Sequence, residues 1–197
     1  MSVDVPGCPG DLDAVEAAAW AMLEEGAASP RAAFRRMTLA SVGTDGAPEA
    51  RTVVLRGADR AQRSIRFYTD VRSPKVAELE VDPRCAAVFY DHAAGIQVRL
   101  GGRAVLHHGD AGAAAEWAAM GAYSKICYAQ KTGPGVPVDG PEPPSGPAGF
   151  DTAQSFANFV LVTVHIASLD WLFLSADGHR RARLWYDDAR SPTWLAP

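Results

Sequence analysis

Consecutive short strands with few helices between them constrain this chain more than any other feature. Thr38 to Val42 and Glu49 to Leu55 flank Thr44-Asp45-Gly46, and Asp-Gly favours a tight turn, so the pair reads as a β-hairpin. Ile65–Thr69, Ala86–Tyr90, Ile96–Leu100 and Arg103–His107 follow as further strands, rich in alternating β-branched and aromatic residues. Gly101-Gly102 separates the last two and signals a bulge or a close backbone approach. Phe156–Ile166, Trp171–Leu174 and Arg183–Tyr186 read as the last strands. Helices decorate this set: residues 11–25, with Val15, Ala18, Ala19, Met22 and Leu23 on one side, and Asp110 to Met120. The class is therefore mainly β with flanking helices, a barrel and not a doubly wound sheet. Residues 1–197 read as a single domain, interrupted by a loop over residues 133–149 that holds six prolines and five glycines.

Three polar clusters sit on this frame. In the middle one, Phe67-Tyr68-Thr69-Asp70-Val71-Arg72-Ser73-Pro74-Lys75, a strand runs into a helix start. Serine can cap a helix and proline suits its first position, and the helix ends before Asp82-Pro83. A helix N-terminus offers free N–H groups and partial positive charge, which suits a phosphate. Arg72 and Lys75 add charge there, and Thr69 and Ser73 add hydroxyls. Alone, the cluster fits a solvated basic turn equally well.

In the first cluster, Arg51-Thr52-Val53-Val54-Leu55-Arg56, alternation sends Arg51, Val53 and Leu55 to one face and Thr52, Val54 and Arg56 to the other. A buried guanidinium needs an accepting partner, and only Glu49 is near in sequence, so a ligand phosphate or carbonyl fits. Both arginines could instead sit at strand ends in solvent. The third cluster is Gln97-Val98-Arg99-Leu100-Gly101-Gly102-Arg103.

Together with Asp82-Pro83-Arg84, Gly102-Arg103-Ala104, Asp170-Trp171, His179-Arg180-Arg181-Ala182-Arg183 and Trp194-Leu195-Ala196-Pro197, these clusters resemble the pyridoxamine 5′-phosphate oxidase family. The Arg-Thr-Val-Val-Leu-Arg form and the Asp-Trp-Leu tail are closer to its oxidase-related flavin-binding subgroup. The resemblance implies an FMN-binding split β-barrel that forms a homodimer with FMN at the subunit interface. It also implies cofactor contacts from Arg51, Thr52, Val53, Val54, Arg56, Tyr68, Thr69, Arg72, Ser73, Lys75, Gln97, Gln130 and Arg183, with Arg181 the alternative to Arg183. Arg56 stands where the family usually has a lysine serving phosphate and substrate, and Pro74 stands where the oxidases carry a phosphate arginine.

The departures concern the substrate. Vitamin B6 oxidases of the family recognise the substrate phosphate with a tyrosine, an arginine and a serine on the helix after the barrel strand. Here that helix reads Ala-Gly-Ala-Ala-Ala-Glu-Trp-Ala-Ala-Met, and Tyr123, Ser124 and Lys125 follow it as partial substitutes. The arginine-leucine-histidine substrate motif becomes Arg180-Arg181-Ala182, and Leu172 replaces a tryptophan. Arg56, Tyr123, Ser124 and Arg180 are thus the substrate candidates. The expectation is an FMN-dependent oxidoreductase whose small-molecule substrate need not be vitamin B6. The alternative is a non-catalytic flavin- or haem-binding protein of the same fold, although haem would not need the phosphate-directed set. A flavin carries its own redox chemistry, so no dedicated general base is expected.

Composition excludes other classes. The net charge of −4 argues against general binding to nucleic acid or anionic membranes. No apolar run is long enough to span a bilayer and no secretory n-region is present, so a cytoplasmic location is the default. Three widely spaced cysteines suggest neither a disulfide framework nor a zinc site. His107 and His108 point to opposite faces of a strand, so no shared metal is expected. The tryptophans 171, 185 and 194 read as core or dimer contacts.

Overall fold

The computed structural model describes residues 9–141, 152–187 and 189–197, without the side chains of Thr152 and Ala153. Helix α1 (Leu12–Ala28) starts at Asp11, whose carboxylate accepts the Ala14 N–H at 2.7 Å. Its buried stripe of Val15, Ala19, Trp20, Leu23 and Gly26 follows the three- and four-residue spacing of one helix face. The Trp20 indole N–H donates to Tyr186 Oη at 3.0 Å and ties this helix to the far end of the chain.

Strands β1 (Arg36–Val42) and β2 (Pro48–Asp59) form the expected hairpin, and β3 (Ser64–Asp70) pairs beside β2. Helix α2 (Pro74–Val81) leads to β4 (Arg84–Asp91) and β5 (Ile96–His107). Then come α3 (Ala111–Ala119), α4 (Ala122–Lys125), α5 (Thr152–Ala157), β6 (Phe159–Phe173), β7 (Arg180–Trp185) and β8 (Thr193–Leu195). The sheet order is β3-β2-β1-β4-β5-β6-β7-β8, and a further pairing of β3 with β6 closes the first six strands into an antiparallel barrel. Strands β7 and β8 continue outward from β6 as a flap. The architecture is the split barrel that the sequence suggested.

Three sequence expectations need correction. The two segments flanking Gly101-Gly102 form one 12-residue strand, with the register shift falling between those glycines. Phe156–Ile166 and Trp171–Leu174 are likewise one 15-residue strand, which starts at Phe159 because α5 occupies residues 152–157. β7 starts at Arg180 and not Arg183, and β8 was not foreseen.

The long β6 is what splits the barrel. Its first half pairs with β3, from Asp70↔Phe159 to Ser64↔His165, and its second half pairs on the same edge with β7, from Ser168↔Trp185 to Phe173↔Arg180. At the changeover, Ile166 N donates to Arg63 O and Tyr186 N donates to Ala167 O, both at 2.8 Å, and carry the ladder across. Inner-face residues Leu39, Leu55, Ile65, Phe67, Phe89, Val98, Leu100, Val162 and Trp171 fill the barrel. A second apolar cluster outside the wall joins Ala113 and Trp117 of α3 to Tyr128, Phe159 and Leu161. The opening of β6 is therefore apolar on both faces, which hides its strand period. Of the Gly/Pro stretch, residues 133–141 lack helix or strand, and Gly133 and Gly135 lie against Arg72 and Pro74; 142–149 lie outside the described residues.

Candidate functional site

The first group of candidate residues meets where α2 caps one end of the barrel. Arg51 lies on the inner face of β2 with Val53 and Leu55, as alternation required. Glu49 is the carboxylate near it in sequence, but Arg51 also has an internal partner 27 positions on. Its Nη2 donates to both carboxylate oxygens of Glu78 at 3.0 and 2.8 Å, and its Nη1 donates to Ser41 Oγ. Ser41 Oγ in turn donates to Glu78 Oε2 at 2.6 Å, while the half-exposed Glu49 lies 3.7 Å from Nη2.

Lys75, one helical turn before Glu78, is the unsatisfied member. Its Nζ donates to Thr69 Oγ1 at 3.2 Å and to Ser73 Oγ, both neutral acceptors. Burial lowers its pKa first and the neighbouring Arg51 lowers it further, while Glu78 and Asp70 only partly oppose this. A half-buried ammonium held by hydroxyls beside a guanidinium is a site for an incoming anion. The Ser73 hydroxyl accepts from Lys75 and makes no capping hydrogen bond, contrary to the expected cap.

Arg72 does not join this group. Its guanidinium binds Asp70 at 2.9 and 2.7 Å and donates to the carbonyl oxygens of Gln130 and Lys131 at 2.9 and 3.1 Å. It therefore anchors the loop after α4, its charge already met by Asp70. Gln130 lines a cavity of 310 Å³ with Arg72, Gln154 and Asn158.

The second group lies on the outer wall. The Arg56 guanidinium sits 5.3 Å from the centre of the Tyr68 ring, and Tyr68 Oη donates to Glu116 Oε2 at 2.6 Å. Glu116 Oε1 accepts from Arg66 as well. Burial and then the Glu116 hydrogen bond push the Tyr68 phenol up to about 12. In Glu116→Gln the hydrogen bond to a charge disappears while burial remains, so the Tyr68 pKa should fall below about 12 yet stay above its ordinary 10.0. Ultraviolet titration of the tyrosines, with Tyr68→Phe as reference, reads this directly; an unmoved Tyr68 would show burial acting alone. Glu116 was missed at the sequence level, although it is the one charged residue in the α3 stretch Ala111–Ala119.

Gln97 and Arg183 form a third group. In the ring β2-β1-β4-β5-β6-β3, β5 stands opposite β2. Gln97 flanks the buried Val98 and so faces outward, away from the outer face of β2 that carries Thr52, Val54 and Arg56. Arg183 pairs across from Asp170, lies 4.1 Å from the centre of the Trp185 ring, and has a buried Nε with no hydrogen-bond partner among the described residues. Arg181 is engaged instead, donating to Asp170 at 3.0 and 2.9 Å, which favours Arg183 over Arg181 as the side chain open to a ligand. Among the substrate candidates, Tyr123 is 87% exposed on α4 and Ser124 follows it, while Arg180 opens β7 at the far side of the flap. Trp171 is fully buried, Trp185 is stacked by Arg183 and Arg190, and Trp194 is exposed.

The residues present fit FMN. The Arg51–Lys75 group supplies cations and hydroxyls to a phosphate, and Arg183 holds an unused buried donor. No helix among the described residues is long and apolar enough to cross a membrane.

Comparison with known proteins points the same way. The family model described as pyridoxamine 5′-phosphate oxidase, FMN-binding domain, matches residues 17–108, from α1 to just past the end of β5. A pyridoxine/pyridoxamine 5′-phosphate oxidase of Thermobifida fusca is 50% identical over 62 residues, which is 32% of this chain and 27% of that protein. One of Burkholderia cenocepacia is 45% identical over 67 residues, 34% of this chain and 30% of that protein. The matched stretch thus spans about three-tenths of the length of these relatives. In fold, the chain is similar to a pyridoxamine 5′-phosphate oxidase-related, FMN-binding protein of Nostoc punctiforme, with TM-score 0.73 and 24% identity over 91% of this chain and 96% of that one. It is also similar to PhzG of Burkholderia lata in complex with tetrahydrophenazine-1-carboxylic acid, with TM-score 0.70 and 20% identity over 100% of both chains. Residues 17–108 thus match the FMN-binding domain of pyridoxamine 5′-phosphate oxidase, and the whole chain shares the fold of FMN-binding split barrels.

Proposed function

We propose that this protein is an FMN-dependent oxidoreductase that works as a homodimer on a small substrate other than a vitamin B6 phosphate. The observation that carries the reading is Lys75, half-buried beside Arg51, whose hydrogen-bond partners among the described residues are the hydroxyls of Thr69 and Ser73. The FMN phosphate would enter there and supply the missing counter-charge. Bound FMN would supply the electron acceptor, and the chain would hold and orient it.

The barrel's geometry supports a dimer. Gln97 and the outer face of β2 lie on opposite walls, so one ring cannot touch both within one chain. A second copy laid against β2 would bring its own Gln97 and Arg183 to the ring, leaving Arg183 Nε a ligand to serve. Arg56 and Tyr68 would line the substrate side. Their neighbour Glu116 disfavours a phosphorylated substrate, because a carboxylate stands where the vitamin B6 oxidases carry phosphate-binding side chains. PhzG, of the same fold, holds a carboxylic acid without a phosphate.

The test is an absorbance spectrum of protein reconstituted with FMN, followed by pyridoxamine phosphate with oxygen uptake recorded. A flavin spectrum with no oxygen uptake is the expected result. Rapid uptake would overturn the substrate assignment, and a protein that stays colourless would overturn the cofactor site.

A further inference from the structure

We infer that Glu78 is a positioning residue for the anion site: it fixes the Arg51 guanidinium beside Lys75, so that the site tells a phosphorylated flavin from an unphosphorylated one. This rests on the reading that the FMN phosphate enters the Arg51–Lys75 cluster. Glu78 is only 5% exposed, and a buried carboxylate persists only where it is fully engaged. Both of its oxygens accept from Arg51 Nη2, and Oε2 also accepts from the equally buried Ser41. Ser41 closes the ring by accepting from Arg51 Nη1. The arginine is thereby gripped from its buried side. Its side chain remains 22% exposed, so N–H groups not used in the ring stay accessible to an anion beside Lys75.

Without Glu78, the other carboxylate paired with Arg51 among the described residues is Glu49, 3.7 Å away and half-exposed. The guanidinium would swing toward it and out of the site. The spacing of Lys75 and Glu78 puts both on one face of α2, so one helix supplies both the second cation and the brace for the first. A simple counter-ion would act in the opposite direction. If Glu78 only neutralised Arg51, removing its charge would free a cation and tighten phosphate binding; if it positions Arg51, removal loosens it.

The experiment is titration of apoprotein with FMN and with riboflavin, which lacks the phosphate, in wild type, Glu78→Gln, Arg51→Ala and the double variant. Glu78→Gln should loosen FMN by roughly tenfold, the scale of one charge-assisted hydrogen bond, and riboflavin by less than about twofold. In the Arg51→Ala background the same change should have no further effect on the FMN-to-riboflavin ratio. Ser41→Ala leaves the carboxylate in place and should shift the ratio in the same direction by less, which keeps the test open should Glu78→Gln fold poorly. An unchanged or raised preference for FMN in Glu78→Gln would overturn the positioning role while leaving the phosphate site intact. A wild type with no preference for FMN over riboflavin would instead overturn the phosphate site, and this inference with it.

Discussion

Replacing Lys75 with methionine should weaken FMN binding and, in the same protein without FMN, raise the melting temperature. The two effects have one cause. Without FMN the Lys75 ammonium is half-buried, with hydroxyl partners and a guanidinium neighbour, so burial first and Arg51 second hold its folded-state pKa below the ordinary 10.5. Between that lowered value and 10.5 the unfolded chain binds more protons than the folded one, and stability rises with pH across this window. Below the window both states hold the proton, and the folded protein bears the full cost of a half-buried charge. Methionine of similar length removes that cost, so its advantage should be greatest near neutral pH and fade toward 10.5. Phosphate reverses the balance, because the cation then has its partner; FMN affinity in Lys75→Met should fall by about 1.5–3 kcal/mol, the range for a hydrogen bond to a charged group. Melting curves with and without FMN read both arms. A variant that binds FMN like wild type, or that melts lower when empty, would remove Lys75 from the site. This opposition of stability and binding is what a site built for a ligand should show.

How much of this was legible depends on whether the signal was local. The hairpin of β1 and β2, the alternation of β3 and β4, and the Ser73-Pro74 start of α2 are set by residues within a few positions of each other, and the structure places them within a few residues of where the sequence does. The break expected near Asp170 is absent, because the charge of this 5% exposed carboxylate is met by Arg181, 11 residues further on in the neighbouring strand. β6 hides its period for a related reason: α3 covers the face that would otherwise be polar. Glu78 and Glu116 act on residues 27 and 48 positions away, so no spacing rule names their partners. Signals did exist for both. Glu78 lies one turn from Lys75 on the same helix face, and Glu116 is a lone charge in an alanine-rich helix. Arg72 was the reverse case: Asp70 two residues before it was a visible competitor for the role given to it.

Gly102→Ala should be the most damaging single methyl group in the barrel. A Cβ at this position would lie 2.3 Å from the His165 carbonyl oxygen and 3.1 Å from Val164 Cγ1. The first of these is backbone, which cannot rotate aside. The clash falls at the register shift between β5 and β6, next to Ala167, where β6 leaves β3 and takes up β7. Relieving it means parting the two strands that share the longest ladder in the molecule, and the ladder's hydrogen bonds cannot be remade with water inside the wall. We expect a loss of about 3 kcal/mol or more, at or beyond the upper end of ordinary overpacking. Gly101→Ala is the matched control. Its Cβ would meet only Ser168 Oγ at 3.0 Å, a side chain free to turn, so its cost should stay within about 1 kcal/mol. Urea denaturation of the two variants separates the cases. If both lose the same stability, strand propensity and not the close approach of β5 to β6 sets the requirement for glycine. If Gly102→Ala alone collapses, the split that carries β7 and Arg183 outward depends on a backbone contact that no side chain can occupy.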